Sequence, residues 1–279
     1  MGGGGGMNLN SVFEGVRLKN VDLLPGNGTR NGINTYGMIV NLEETRISDS
    51  GSELFSFIGT NKIEKCTLDN ASIKLNNFLG LKAANSRFQG GNIEPSLTFE
   101  HSIELNNVFN FNVRNNLFIW SNSNACFEAN TTSLSENRVA NNLITVSGEG
   151  VLSQGFQPGL KLLCNEYTSE INTYDGLLGP VDLLQGNEGP AISAAGNIFS
   201  SWTERIAGNS SSGTRYFFVD KPDEIPFPYT NSNIIAVETD EEAGCGIIGP
   251  GFQPKPTPKR DPCLFGIDCS EPCLSLIHI

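Results

Sequence analysis

One motif recurs down this chain. A polar pair leads into an apolar residue in NVDL, ETRI, KCTL, NSRF and NNVF, which end at Leu23, Ile47, Leu68, Phe88 and Phe109 in steps of 24, 21, 20 and 21 residues. Repetition at a period of roughly 20 to 50 residues marks a solenoid, because a unit that short cannot bury its own apolar face and must stack on its neighbours. NNLF, ENRV, NNLI, CNEY and GNIF continue the series at looser spacing to Phe118, Val139, Ile144, Tyr167 and Phe199. Between these points apolar and polar residues alternate only briefly, as over Ser72 to Leu75 and Leu97 to Phe99, which is the period of a short strand. No window holds apolar residues at helical spacing for the length a stable amphipathic helix needs. The pattern predicts an all-β chain wound as a right-handed parallel β-helix, with about three strands per turn. Leu23, Ile47, Leu68, Phe88 and Phe109 are expected to stack inside it as one apolar column.

The asparagines fit such a coil. FNFNVRNNLFIWSNSN, from Phe109 to Asn124, sets Asn beside large apolar residues repeatedly, although Asn favours neither helix interiors nor sheets. A sharp corner between strands needs residues that tolerate the left-handed backbone region, and Asn does so at lower cost than other residues carrying a Cβ. Asn107, Asn116, Asn137, Asn142, Asn165 and Asn197 are the expected corner residues, and their amides can also hydrogen-bond from turn to turn. Each inward apolar side chain contributes roughly 1.5 to 3 kcal/mol, which offsets the ordering of a Gly- and Asn-rich backbone. The alternative is a β-sandwich whose surface loops happen to be rich in Asn.

The 279 residues suffice for a sizeable core, and a net charge of −12 with a pI near 4.6 argues against a nucleic-acid or anionic-membrane partner. No apolar run reaches the ~20 residues of a membrane-spanning helix. Residues 1–10, MGGGGGMNLN, read as a Gly-rich non-native or internal start without the features of a secretory signal. Residues 11–199 carry the repeats, and residues 200–237, with the run Tyr216, Phe217, Phe218, are expected to cap the open end of the coil. Residues 238–273, rich in acid, Pro and Cys, read as a linker or small module. Residues 274–279, LSLIHI, read as translated sequencing adaptor, so the natural chain is expected to continue beyond Cys273.

Catalytic motifs are sparse. Glycosidases need two carboxylates flanking the scissile bond, and neither the paired aspartates, the Asn-x-Asp nor the Gly-His-Gly of β-helical polygalacturonases occurs. His101 in TFEHSIEL has no glycine beside it and no aspartate close in sequence, so a structural role is expected. Asp22, Asp49 and Asp69 lie near the repeat spacing, with Arg46, Lys65 and Arg87 available as bases, whereas Asp175 and Asp182 stand apart. A column of solvated turn acids is the plainer account. No cofactor is called for; the run Glu238, Asp240, Glu241, Glu242 could at most hold calcium loosely, lacking the alternating ligands and glycine of a calcium loop. Phe109, Phe111, Phe118 and Trp120 could form a sugar-stacking strip, although Phe alternating in a coil usually fills the core; Trp120 is the one to test for exposure. Cys66, Cys126 and Cys164 sit in the repeats and read as small core residues. Cys245, Cys263, Cys269 and Cys273 read as one or two disulfides, their 17-, 5- and 3-residue gaps lacking the paired short spacing of a zinc site.

GLKLLCNEYTSEINTY, LLQGNEGPAISAAGNIFS, RYFFVDKP and the Cys-rich tail resemble the closing region of secreted right-handed β-helix repeat proteins of type IX secreting bacteria, which share a pectate-lyase-like solenoid fold. The resemblance spans roughly Ser11 to Cys273 and is one of architecture; no catalytic motif matches. It implies export, an extracellular or outer-surface location and, in many such proteins, a further C-terminal sorting domain. The expected role is non-catalytic: a monomeric surface spine, adhesive or binding extracellular polysaccharide. The alternatives are a lyase or glycoside hydrolase acting on acidic polysaccharide, or the stalk of a larger extracellular enzyme.

Overall fold

A computed structural model describes residues 7–10, 16–23, 33–36, 39–48, 51–55, 60–90, 101–120, 126–130, 136–146, 150–154, 157, 159–169, 176–178, 193–199, 205–208, 214–226, 234–245 and 248–249. These are strands, turns and connections, with no helix among them. Three parallel sheets run the length of a coil. Sheet 1 stacks nine strands from Met7–Asn10 to Ile206–Gly208, sheet 2 seven from Val16–Lys19 to Leu160–Leu163, and sheet 3 seven from Asp22–Leu23 to Glu166–Ser169. One rung shows the plan: Ser72–Asn76 enters sheet 1, Gly80–Ala84 sheet 2 and Arg87–Gly90 sheet 3, before Ile103–Asn106 returns to sheet 1. The chain is a parallel β-helix, as the repeat predicts.

The corner from sheet 2 to sheet 3 has the same two-residue form in every rung. Its first residue is left-handed: Asn20, Glu44, Lys65, Asn85, Asn115, Asn141 and Cys164 all have φ between 51° and 55°. Its second residue turns inward: Thr45, Cys66, Ser86, Asn116, Asn142 and Asn165 are buried and Val21 is half-buried, and Asn197, after the left-handed Gly196, continues the line in the last rung. The expected corner asparagines therefore divide into separate roles. Asn107 is left-handed, with φ 52°, at the sheet 1 to sheet 2 corner. Asn116, Asn142, Asn165 and Asn197 occupy the inward position, where they form a buried amide ladder. The backbone N–H of Asn116 donates to Asn142 Oδ1 (2.9 Å), that of Asn142 to Asn165 Oδ1 (3.1 Å) and that of Asn165 to Asn197 Oδ1 (2.9 Å). Each Nδ2 donates to a carbonyl of the preceding rung, from Asn116 to Ala83, Asn142 to Val113, Asn165 to Val139 and Asn197 to Leu162. Asn137 belongs to neither set. It opens a sheet 2 strand, fully buried, accepts from Phe111 N–H and donates to Gln157.

The apolar column needs one correction. Leu23, Ile47, Leu68 and Phe88 are in register on successive strands of sheet 3, and the next residue in line is Phe118, followed by Ile144 and Tyr167. Ile47, Leu68 and Phe88 are buried; the Leu23 side chain lies outside the described residues. Phe109 is not in the column. It belongs to the sheet 1 to sheet 2 corner and is 37% exposed. A constant period near 20 pointed to Phe109, but the connection from sheet 3 to sheet 1 varies in length, so the step from Phe88 to its true successor is 30 residues. Phe118 stacks on Phe88 with ring centroids 4.8 Å apart, and Tyr167 stacks on Phe199 at 5.9 Å. Offset stacking adds roughly 0.5 to 1.5 kcal/mol per pair beyond the area buried.

At the C-terminal end, sheet 1 continues to Gly208, past the expected boundary at residue 199. Thr214–Phe218 and Ile234–Glu238 form a two-stranded parallel sheet whose Tyr216 is fully buried, with its hydroxyl accepting from Asn197 Nδ2 at 3.0 Å. Burial raises the Tyr216 pKa, keeping the phenol neutral. Ala195 N–H donates to Phe217 O and Phe199 N–H to Asp223 O, so this segment satisfies polar groups of the last rung.

The segment read as a linker packs back on the coil over its described part. Ala194 N–H donates to Glu241 O, Gly249 N–H to Asn141 O, and Cys245 forms a disulfide with Cys164. Cys164 is therefore not a free packing thiol, and the partner of Cys245 lies in the repeats; Cys263, Cys269 and Cys273 fall outside the described residues. Gly196, with φ 65°, is required here, since a Cβ would collide with Ala243 and the Cys245 sulfur. Cys66 and Cys126 are free and buried. Desolvation pushes the Cys66 thiol up to about 11, which leaves it unreactive at neutral pH.

Candidate functional site

Outward residues of sheet 1 follow from strand alternation: where Ile103 and Leu105 point in, Glu104 and Asn106 point out. Register then aligns them across rungs. One outward row runs Lys74, Glu104, Glu128, Leu152, and the next runs Asn76, Asn106, Asn130, Gln154. Lys74 Nζ lies 2.8 Å from Glu104 Oε1, and Asn106 Nδ2 donates to the same oxygen at 2.8 Å and to Asn76 Oδ1 at 3.1 Å. His101 Nε2 lies 2.6 Å from Glu128 Oε2, with both side chains largely covered. Desolvation alone would raise the Glu104 pKa, but hydrogen bonds from Lys74 and Asn106, together with the nearby Lys74 and His101, hold it below the usual range.

The corner beyond these strands adds apolar surface. Asn77 and Asn107 are both left-handed, and Asn107 Nδ2 donates to Asn77 Oδ1 at 3.2 Å in the open. Two residues further on, Leu79 and Phe109 occupy the same place in successive rungs and are 53% and 37% exposed. The left-handed Asn turns Phe78 and Val108 into the core, which leaves the next side chain outside. A short apolar ridge thus borders amides and carboxylates. An aromatic face beside planar hydrogen-bonding groups suits a sugar ring, which has an apolar C–H face and a polar hydroxyl edge.

The other sequence candidates scatter. Of the suggested aromatic strip, Phe111, Phe118 and Trp120 are buried, which leaves Phe109 as its exposed member. Asp22 shares a row with Arg46, whereas Asp69 aligns with Ser48 and pairs with Arg46 at 3.3 Å, so those aspartates do not form one column. Asp49, Asp175 and Asp182 lie outside the described residues. Among the described residues no group of three or more His, Cys, Asp or Glu could hold a metal ion, and no helix is long and apolar enough to cross a membrane. Lys221 lies 3.2 Å from Glu242 in the acidic run considered for calcium.

Sequence reasoning missed Glu128 as the partner of His101, because the two are 27 residues apart and meet only through the coil register. The signal was the repeat itself, since Glu104 and Glu128 fall one rung apart. Neighbouring strands lie ~4.8 Å apart, so the two carboxylates stand close. A glycosidase with carboxylates at such a separation needs one of them protonated. Glu104 is held in the charged form and so accepts hydrogen bonds from hydroxyls, and Glu128 is paired with His101. No protein-family model, curated protein or solved structure matches the chain.

Proposed function

We propose that this chain is an exported β-helix protein that binds carbohydrate on the outer face of sheet 1 without turning it over. The observation that carries this reading is the exposed ridge of Leu79 and Phe109 beside the amide pairs Asn77–Asn107 and Asn76–Asn106 and the ionised Glu104. Phe109 is the stacking platform, and the amides and carboxylates bind hydroxyls. The rigid coil positions them at fixed strand spacing, which preorganises the face and limits the entropy lost on binding. The Cys164–Cys245 disulfide fits a non-reducing compartment, in keeping with a location outside the cell. The resemblance of the closing region to type IX cargo supports the same placement.

The test is a glycan array followed by calorimetry. Phe109→Ala should abolish measurable binding to the best glycan while leaving the unfolding midpoint unchanged, and equal binding by both proteins would dismiss the proposal. The His101–Glu128 pair beside Glu104 favours a second reading, a polysaccharide hydrolase or lyase. Incubation with acidic and neutral polysaccharides, with and without calcium, would then yield new reducing ends or unsaturated products, and His101→Ala would abolish them.

A further inference from the structure

Sheet 2 carries a charge pattern that the overall composition conceals. Its outward row runs Arg17, Asn41, Lys62, Lys82, Asn112, Arg138, Lys161, one residue from each of seven consecutive strands. The adjacent outward row adds Lys19 and Arg114. Within the seven strands of this sheet the charged residues are seven cations (Arg17, Lys19, Lys62, Lys82, Arg114, Arg138, Lys161) and two acids (Glu43, Glu64). That is a net charge of 7 − 2 = +5 within the strands of one sheet, or +4 with Glu136 at its edge, in a chain whose total is −12.

The acids present are shared thinly. Glu43 accepts from both Arg17 and Lys19, and Glu136, just before the sixth strand, lies within reach of both Arg138 (3.1 Å) and Lys161 (3.4 Å). Glu64 pairs with Lys62. Lys82 and Arg114, in the middle of the face, make no salt bridge among the described residues. Two recesses lie at the ends of the same face. One of about 280 Å³ is lined by Arg17, Asn41, Glu43 and Lys62, and one of about 400 Å³ by Arg138, Asn141, Leu163 and Glu241.

The geometry points to a second binding face on sheet 2, distinct from the sheet 1 face, that holds a linear anionic polysaccharide along the coil axis. The row is straight and advances by one strand spacing, ~4.8 Å, per residue. That advance is of the order of one pyranose ring, so a chain bearing a carboxylate or sulfate on its sugars meets a cation or an amide at each rung. Asn41 and Asn112 interrupt the cations; Asn41 supplies a donor and an acceptor for hydroxyls, whereas the Asn112 Oδ1 is buried. At physiological ionic strength the screening length is about 8 Å, so the face acts locally even though the rest of the molecule is acidic. Nucleic acid fits less well: no aromatic side chain lies in either outward row to stack on bases.

The test is binding of the full chain to fluorescent polygalacturonate, a sulfated glucan, neutral dextran and single-stranded DNA, measured in 0.15 M and 0.5 M salt. Binding to a charged polysaccharide, weakened at 0.5 M salt and absent for dextran, is expected; whether the carboxylated or the sulfated chain binds more tightly identifies the anionic group. Lys82→Gln combined with Arg114→Gln should weaken that binding about tenfold or more, with an unfolding midpoint equal to wild type, while Lys221→Gln in the cap should leave it unchanged. No polyanion binding, wild-type affinity in the double variant, or tighter binding to DNA than to either polysaccharide would each overturn the assignment. The face does not depend on the sheet 1 reading: loss of neutral-glycan binding in Phe109→Ala with polyanion binding retained separates them.

Discussion

Asn141 and Asn142 are neighbours in ANNLI, and the coil gives them opposite importance. Asn141 takes the left-handed position with φ 54°, and its backbone N–H and C=O bond to Leu163 O and Gly249 N–H. Glycine accepts that conformation without strain, so Asn141→Gly should change stability by no more than about 0.5 kcal/mol. Asn142 is fully buried and uses all four of its amide hydrogen-bonding places. Its Oδ1 accepts from Asn116 N–H and Asn116 Nδ2, and its Nδ2 donates to Val113 O and Asn165 Oδ1. Asn142→Gly removes four bonds at a net ~1 kcal/mol each and strands the buried Asn116 N–H, for a total loss of about 5 kcal/mol. Urea denaturation of the two variants, followed by circular dichroism, reads the difference directly. Hydrogen exchange should show the Asn142→Gly loss concentrated in rungs next to residues 116 and 165, because solenoid stability is summed from neighbour contacts. Equal midpoints for the two variants would refute the ladder argument.

Phe118 and Phe109 give a second contrast: Phe118→Ala should cost about 3 to 5 kcal/mol, and Phe109→Ala no more than about 0.5 kcal/mol, by the same denaturation assay. Removing the disulfide with Cys245→Ser frees a loop closed over 81 residues of separation; the chain-entropy argument puts the loss at about 4 kcal/mol, and an unchanged melting temperature would contradict the strap seen here. Low pH should destabilise the fold through its paired carboxylates. Glu43 is lowered from 4.5 to about 2, chiefly by hydrogen bonds from Arg17 and Lys19. A folded pKa below the unfolded one means stability is present above about 4.5 and lost as pH falls towards 2, with Glu64 and Glu104 shifted in the same direction. A urea midpoint constant from pH 5 to 2.5 would exclude this contribution.

Much of the architecture was legible because periodicity survives in the strands. Leu23, Ile47, Leu68 and Phe88 sit one rung apart because the early connections are of nearly constant length. Phe109 imitates a column residue because the longer connection after Gly90 adds residues without adding a strand to sheet 3, and the NNVF at the sheet 1 to sheet 2 corner resembles the NNLF that leads into sheet 3. The two roles of Asn could not be separated by composition, since a left-handed corner and a buried amide acceptor favour the same residue for different reasons. The sites were harder to see. Arg17, Asn41, Lys62, Lys82, Asn112, Arg138 and Lys161 advance by 24, 21, 20, 30, 26 and 23 residues, the same steps as Leu23 through Tyr167. The row is invisible until each rung's length is known, and the net charge of −12 hides it. Cys164 resembles a packing thiol in sequence because its partner Cys245 lies in a segment with linker-like composition, and only the return of that segment to Asn141 and Ala194 brings the sulfurs together.

Pairwise spin-label distances on the outer face of sheet 2 address the coil itself. With labels at residues 41 and 112, 41 and 161, and 17 and 161, the backbone separations should be about 14, 24 and 29 Å, increasing by ~4.8 Å for each strand crossed whatever the number of residues between. Distances that fail to grow with the number of strands crossed, as two facing antiparallel sheets would give, would contradict the parallel coil.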